Sequence, residues 1–292
     1  MNLKNIGLAL LAVVLLGGVF AVFAPAKLLN TFASSHTHSR TVGVVYGPGE
    51  RQLLDVYRPA RAAPRGGWPV VVFFYGGSWN RGERGDFAFV GEALASRGIL
   101  TMVADYRLYP EVQYPGFLND GATAVAWAFK NADRLGGDPR RVFVMGHSAG
   151  AYNAAMIALD PRWLKRTGRS PRELAGFIGL AGPYDFLPIE NPDAKPVFFH
   201  PDYPPGTQPM EHVSRTAPRS FLGAPQSDRL VNPYRNSQSL ATKLQEAGVP
   251  VTLKLYPHIS HALLVGAFGT PLRWLAPVLE DVAGFVNATP GS

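Results

Sequence analysis

Apolar residues along this chain follow two rhythms. Blocks that are apolar nearly throughout recur as PVVVFFY (Pro69–Tyr75), ILTMVAD (Ile99–Asp105), RVFVMG (Arg141–Gly146), Ala175–Ala181, Ser220–Gly223 and VTLKLY (Val251–Tyr256). Between them lie stretches of helical period: Phe87–Ala95, Asp120–Arg134, the run that ends at Leu159, Asn236–Ala247 and Leu272–Val286. Strands that are apolar on both sides need cover on both faces, and alternation with helices supplies it, so the pattern predicts a parallel sheet between helical layers. Two further strand-like stretches, TVGVVY (Thr41–Tyr46) and QLLDVY (Gln52–Tyr57), precede the first block and are joined through Gly-Pro-Gly. That is the signature of an antiparallel hairpin, which makes the sheet mixed at one edge. The class is α/β, and no internal repeat is visible.

Two stretches break the rhythm. From Ile6 to Ala26 the chain reads IGLALLAVVLLGGVFAVFAPA, without a charge. About 20 apolar residues cross a bilayer core as a helix, whereas the apolar region of a cleaved signal is roughly 7–15 residues long. Residues 1–26 are therefore expected to contact the membrane as a transmembrane anchor. Lys4 and the amino terminus lie on the inner side, which leaves the rest of the chain outside the cytoplasm, in the periplasm of a bacterium. Ala24-Pro25-Ala26 imitates a cleavage site, so a cleaved signal with secretion is the alternative. Residues 27–40 are expected as a tether and 41–288 as one domain. Within it, residues 187–218 hold eight prolines, which exclude a regular helix or central strand. This insertion is either a connecting loop or a lid-like wall of a pocket.

Composition narrows the function. The formal charge of +7 is scattered, with no basic run interleaved with aromatics, which argues against nucleic acid and fits a weak attraction to anionic membrane surfaces. The chain has no cysteine, excluding disulfides, thiolate nucleophiles and cysteine metal sites. The oligomeric state is left open.

One pentapeptide carries chemistry. Gly146-His147-Ser148-Ala149-Gly150 fits G-x-S-x-G, with a strand before it and a helix after it. Small neighbours let strand and helix pass close enough to project the Ser148 hydroxyl as a nucleophile. An oxyanion formed there needs backbone donors: the N–H of Ala149, and one from Gly76 or Gly77 in Tyr75-Gly76-Gly77-Ser78-Trp79. The base should follow the last strand, where His258 and His261 both stand. The acid should follow the strand before it, which selects Asp228, with Asp185 as the runner-up. His36, His38, His200 and His212 are expected at the surface, Trp79 in packing. No metal or organic cofactor is required.

Taken together, FFYGGSWNRG, VADYRLYPE, GGDPRRVFVMGHSAGAYNA, AGPYDF, SDRLVNP and YPHISHALL resemble the α/β-hydrolase superfamily. More narrowly they are similar to esterases related to kynurenine formamidase and to the bifunctional feruloyl and acetyl xylan esterases. The resemblance runs from about Val45 to Val286. It implies the α/β-hydrolase fold, Ser148 as nucleophile, Asp228 as acid and His261, rather than His258, as base. It also implies structural support from Asp105 and Arg107. Two departures stand out: Tyr75 replaces the usual histidine of His-Gly-Gly-x-Trp, and Gly223-Ala224-Pro225-Gln226 replaces a loop that commonly holds His-Gly. The implied activity is cleavage of small-molecule carboxylic esters with short acyl groups. Alternatives are amide hydrolysis of the arylformamidase type and a non-catalytic scaffold that binds a ligand.

Overall fold

The computed structural model describes residues 25–33 and 36–288. Eight strands form one sheet: β1 (His38–Val45), β2 (Leu53–Pro59), β3 (Trp68–Phe74), β4 (Leu100–Ala104), β5 (Gly137–His147), β6 (Gly176–Leu180), β7 (Ser220–Pro225) and β8 (Val251–Tyr256). Their order is β1-β2-β4-β3-β5-β6-β7-β8. β1 pairs antiparallel with β2, and β2 antiparallel with β4. From β4 to β8 every pairing is parallel. The hairpin thus sits at one edge of the parallel sheet, as its Gly-Pro-Gly turn predicts.

Burial explains why these segments are strands. Every residue of β3, β4 and β6 is buried, as a strand covered on both faces requires, while β8 alternates between half-buried and exposed at the far edge. The cover comes from helices α1 (Pro25–Asn30), α2 (Ala88–Ser96), α3 (Gly116–Asn131), α4 (Ala149–Leu159), α5 (Pro161–Lys165), α6 (Ser239–Glu246), α7 (His261–Gly266) and α8 (Val278–Asn287). α4 is the most deeply set, with all its residues buried against β5 and β6. An ion pair of 2.5 Å between Arg97 and Glu280 ties the end of α2 to α8.

Several elements differ from expectation. The helix expected over Leu272–Val286 is split into a 3₁₀ turn (Thr270–Leu275) and α8. Pro277 causes the break: it cannot donate to a helix, and it holds the preceding Ala276 in extended backbone at φ −162°, ψ 148°. The stretch expected as a tether contains the end of α1, and its Asn30 side chain donates to the Gly85 carbonyl (2.8 Å) and accepts from the Phe89 N–H (3.0 Å). α7 is too short to leave a periodic trace and follows the Ser260 cap, whose hydroxyl accepts from the Leu263 N–H.

The proline-rich insertion is wound into 3₁₀ turns at Pro196–Phe198 and Pro209–His212. It buries Val197 and Phe198, with Phe198 set edge-on against Trp79 (4.9 Å between ring centres) and Tyr152 (5.5 Å). Of the apolar run that starts at Ile6, only the backbone of Pro25 and Ala26 falls within the described residues. Among those residues no helix is long and apolar enough to cross a membrane.

Candidate active site

β5 ends at His147, α4 begins at Ala149, and Ser148 sits between them at φ 55°, ψ −122°. L-residues avoid positive φ, so surrounding structure must hold the turn. Part of that hold is the Ser148 N–H, which donates to the Leu180 carbonyl at 2.8 Å. The flanking glycines are forced by contact. A Cβ at Gly146 would lie 2.1 Å from the Gly150 carbonyl oxygen, and one at Gly150 would lie 2.0 Å from the Phe74 carbonyl oxygen. Strand and helix therefore approach as the pentapeptide predicts.

Behind β7 and β8 the two other residues meet. His261 Nδ1 donates to Asp228 Oδ2 at 2.6 Å. The second carboxylate oxygen accepts from the N–H groups of Leu230 (2.8 Å) and Val231 (3.1 Å). Burial pushes the Asp228 pKa up, but the hydrogen bond and charge of His261 and the two amides outweigh it, holding this carboxyl below its ordinary value. The replacement of His-Gly by Gly223-Ala224-Pro225-Gln226 leaves this placement intact. β7 runs through Pro225, and the Gln226 N–H donates to Tyr256 O at 2.8 Å before the chain turns to Asp228. The alternatives stand elsewhere: Asp185 pairs with Arg235 (3.2 Å), and His258 is exposed in the turn after β8 at φ 57°.

Gly76 and Gly77 leave β3 directly beside the serine. A Cβ at Gly76 would meet the Ser148 Cβ at 2.8 Å, and Gly77 has φ 134°, a conformation reserved for glycine. Among the described residues no hydrogen bond occupies the N–H of Gly76, Gly77 or Ala149. Ala149 heads α4, where first-turn amides lack helical partners and the helix dipole favours negative charge. Tyr75 points away from this cluster. Its hydroxyl donates to Asp105 Oδ1 (2.7 Å) and accepts from Arg51 (2.8 Å). Arg84 also pairs with Asp105, and Arg107 pairs with Asp120 at 2.7 Å, so both residues of the DYRL loop stand in ion pairs whose carboxylates are buried.

One residue at the site escaped the sequence reasoning. His147 Nε2 lies 3.0 Å from the His261 carbonyl oxygen, and the two imidazole rings are 4.9 Å apart. A carbonyl only accepts, so Nε2 carries the proton. Burial first, and the neighbouring His261 second, lower the His147 pKa to about 3. It is a neutral donor that ties the Ser148 turn to the segment carrying His261. The signal was its variable place in G-x-S-x-G, a position that the motif leaves unspecified.

Two cavities open from Ser148. A smaller one, about 160 Å³, is lined by Trp79, Ala149, Asp185, Asn191 and Arg235, with Pro188 to Ala194 of the proline-rich insertion forming one wall. A larger one, about 630 Å³, holds His147 and His261 and is walled by Leu28, Leu263, Val265 and Leu272. They share Ser78, Ser148 and Leu230.

Residues 54–244 match the BD-FAE family model. The chain belongs to the BD-FAE family. Among curated proteins it is similar to esterase LipC of Mycobacterium tuberculosis, at 32% identity over 72% of this chain and 56% of that protein. It is also similar to the probable isoprenylcysteine alpha-carbonyl methylesterase ICMEL1 of Oryza sativa subsp. japonica, at 31% identity over 75% of this chain and 56% of that one. The chain thus spans little more than half the length of these relatives. Of solved structures, esterase B from Lactobacillus rhamnosis superposes with a TM-score of 0.74 at 22% identity, covering 95% of this chain and 96% of its own. An esterase of Pyrobaculum calidifontis gives 0.69 at 21% identity, over 90% of this chain and 89% of that one. The BD-FAE chain therefore has the α/β-hydrolase fold.

Proposed function

We propose that this BD-FAE chain hydrolyses carboxylic esters with short acyl groups through an acyl-enzyme. The observation that carries the reading is the 2.6 Å contact of His261 with Asp228, made by an imidazole that lines the same cavity as Ser148. Relatives named esterase and methylesterase agree with it.

Ser148 Oγ attacks the acyl carbon while His261 Nε2 takes its proton. Asp228 fixes the Nδ1–H tautomer and stabilises the imidazolium. The carbonyl oxygen becomes an oxyanion facing the vacant amides of Ala149 and of Gly76 or Gly77. His261 returns the proton to the alkoxide as the ester C–O bond breaks, leaving the acyl group on Ser148. Water, deprotonated by the same imidazole, releases the acid. The smaller cavity has room for a short acyl group beside Ala149.

Wild type should turn over phenyl acetate and label with a fluorophosphonate. Ser148→Ala should lose labelling and at least about 10³-fold in kcat, since these groups act as a unit. Turnover that survives Ser148→Ala sinks the mechanism. The reading extends to location: residues 1–26 anchor the chain with its catalytic domain outside the cytoplasm. This rests on the uncharged run after Lys4.

A further inference from the structure

The larger cavity is far more apolar than hydrolysis of a small ester demands. Leu28, Leu29, Phe32, Leu263, Val265 and Leu272 wall it, and among the described residues Arg81 is its only charged lining residue apart from the histidines. Part of the wall is α1 and the turn after it, the described chain next to the apolar run. Leu29 is buried against Gly266 and Gly269. At the rim Phe32 is 52% exposed and Leu230 78% exposed, so the cavity opens where they stand. Trp274, 80% exposed, donates to the carbonyl of Pro271, another lining residue. Such a concentration of open apolar surface at one mouth marks a ligand site.

The chemistry assigns which half of an ester lies there. His261 must reach the departing alkoxide, so the leaving alcohol occupies the side on which the imidazole stands. His261 lines the larger cavity and is absent from the smaller one. Resting on the esterase reading above, we infer that the larger cavity binds the leaving alcohol of the substrate and that this alcohol carries a long apolar chain. The substrate class is a short-acyl ester of a long-chain or similarly extended apolar alcohol, with α1 as part of its binding wall.

Two substrate series read this out, both kept below their aggregation concentrations. Along alkyl acetates from ethyl to decyl, kcat/KM should climb, by up to about fourfold per methylene that the wall covers. Along ethyl alkanoates from acetate to decanoate it should stay flat or fall. A rise with acyl length in place of alcohol length overturns the assignment, and so do two flat series. The wall is tested at Gly266, where an added Cβ would stand 3.4 Å from Leu272, 3.8 Å from Leu29 and 3.9 Å from Leu263, ordinary contacts that leave a larger side chain to fill the space. Gly266→Leu should lower the ratio of decyl to ethyl acetate kcat/KM at least tenfold, with Gly266→Ala falling between it and wild type. An unchanged ratio overturns the proposal. Should wild type hydrolyse no acetate at all, the esterase reading fails by itself, and the cavity is then read by binding. N-Phenyl-1-naphthylamine fluorescence should rise with the protein and be displaced by 1-decanol but not by ethanol, less tightly in Gly266→Leu. Absence of that displacement overturns the apolar site.

Discussion

His147 and His261 stand side by side in different surroundings. Asp228 faces His261, so an imidazolium there has a partner. His147 has only a carbonyl to donate to and is buried, so its proton-binding form is suppressed to about pH 3. In the unfolded chain an imidazole titrates near 6.5. Between about pH 6.5 and 3 the unfolded state therefore takes up a proton that the folded state refuses, and stability falls as pH falls, by at most about 1.4 kcal/mol per unit. His147→Gln removes this titration. Urea midpoints measured from pH 7.5 to 4 should converge between wild type and variant on acidification, starting from a less stable variant at neutral pH. Parallel curves would show that His147 takes up its proton in the folded state too.

At the scale of elements, glycine substitutions separate close approach from mere helix propensity. Gly150→Ala, in α4, drives a Cβ into the Phe74 backbone of the central strand β3 and should cost about 3 kcal/mol or more, or prevent folding. Gly284→Ala, in α8, meets nothing within 4 Å and should stabilise by up to about 1 kcal/mol. Denaturant melts of both settle the contrast, and equal effects would remove the steric reason for glycines around Ser148. The strands of the sheet and the glycines beside Ser148 were legible because burial on both faces and forced contact leave dense local patterns. Chain order after β7 favoured Asp228 over Asp185 and after β8 left His258 and His261 both open, and the family resemblance chose His261. The link from His147 to His261 was not, because it joins residues 114 positions apart through a main-chain carbonyl that any residue possesses. α7 was too short to show a period, whereas the break before α8 was written in Pro277 and lost to the apolar spacing around it.

For the whole molecule, the active site and the amino-terminal run form one argument. If residues 1–26 anchor the chain, the full-length protein expressed in a bacterium should stay with membranes through an alkaline carbonate wash and be released by detergent. Recovery in the carbonate supernatant would discard the anchor. α1 spans the boundary between that run and the catalytic domain, and its Leu28 and Leu29, with Phe32 just beyond, belong to the larger cavity. Trimming the amino terminus for solubility is therefore not neutral. A protein cut at residue 36, just ahead of β1, would keep Ser148, Asp228 and His261 yet lose the wall that Leu28, Leu29 and Phe32 give the larger cavity. Its measured chain-length preference would then belong to the truncation rather than to the uncut chain.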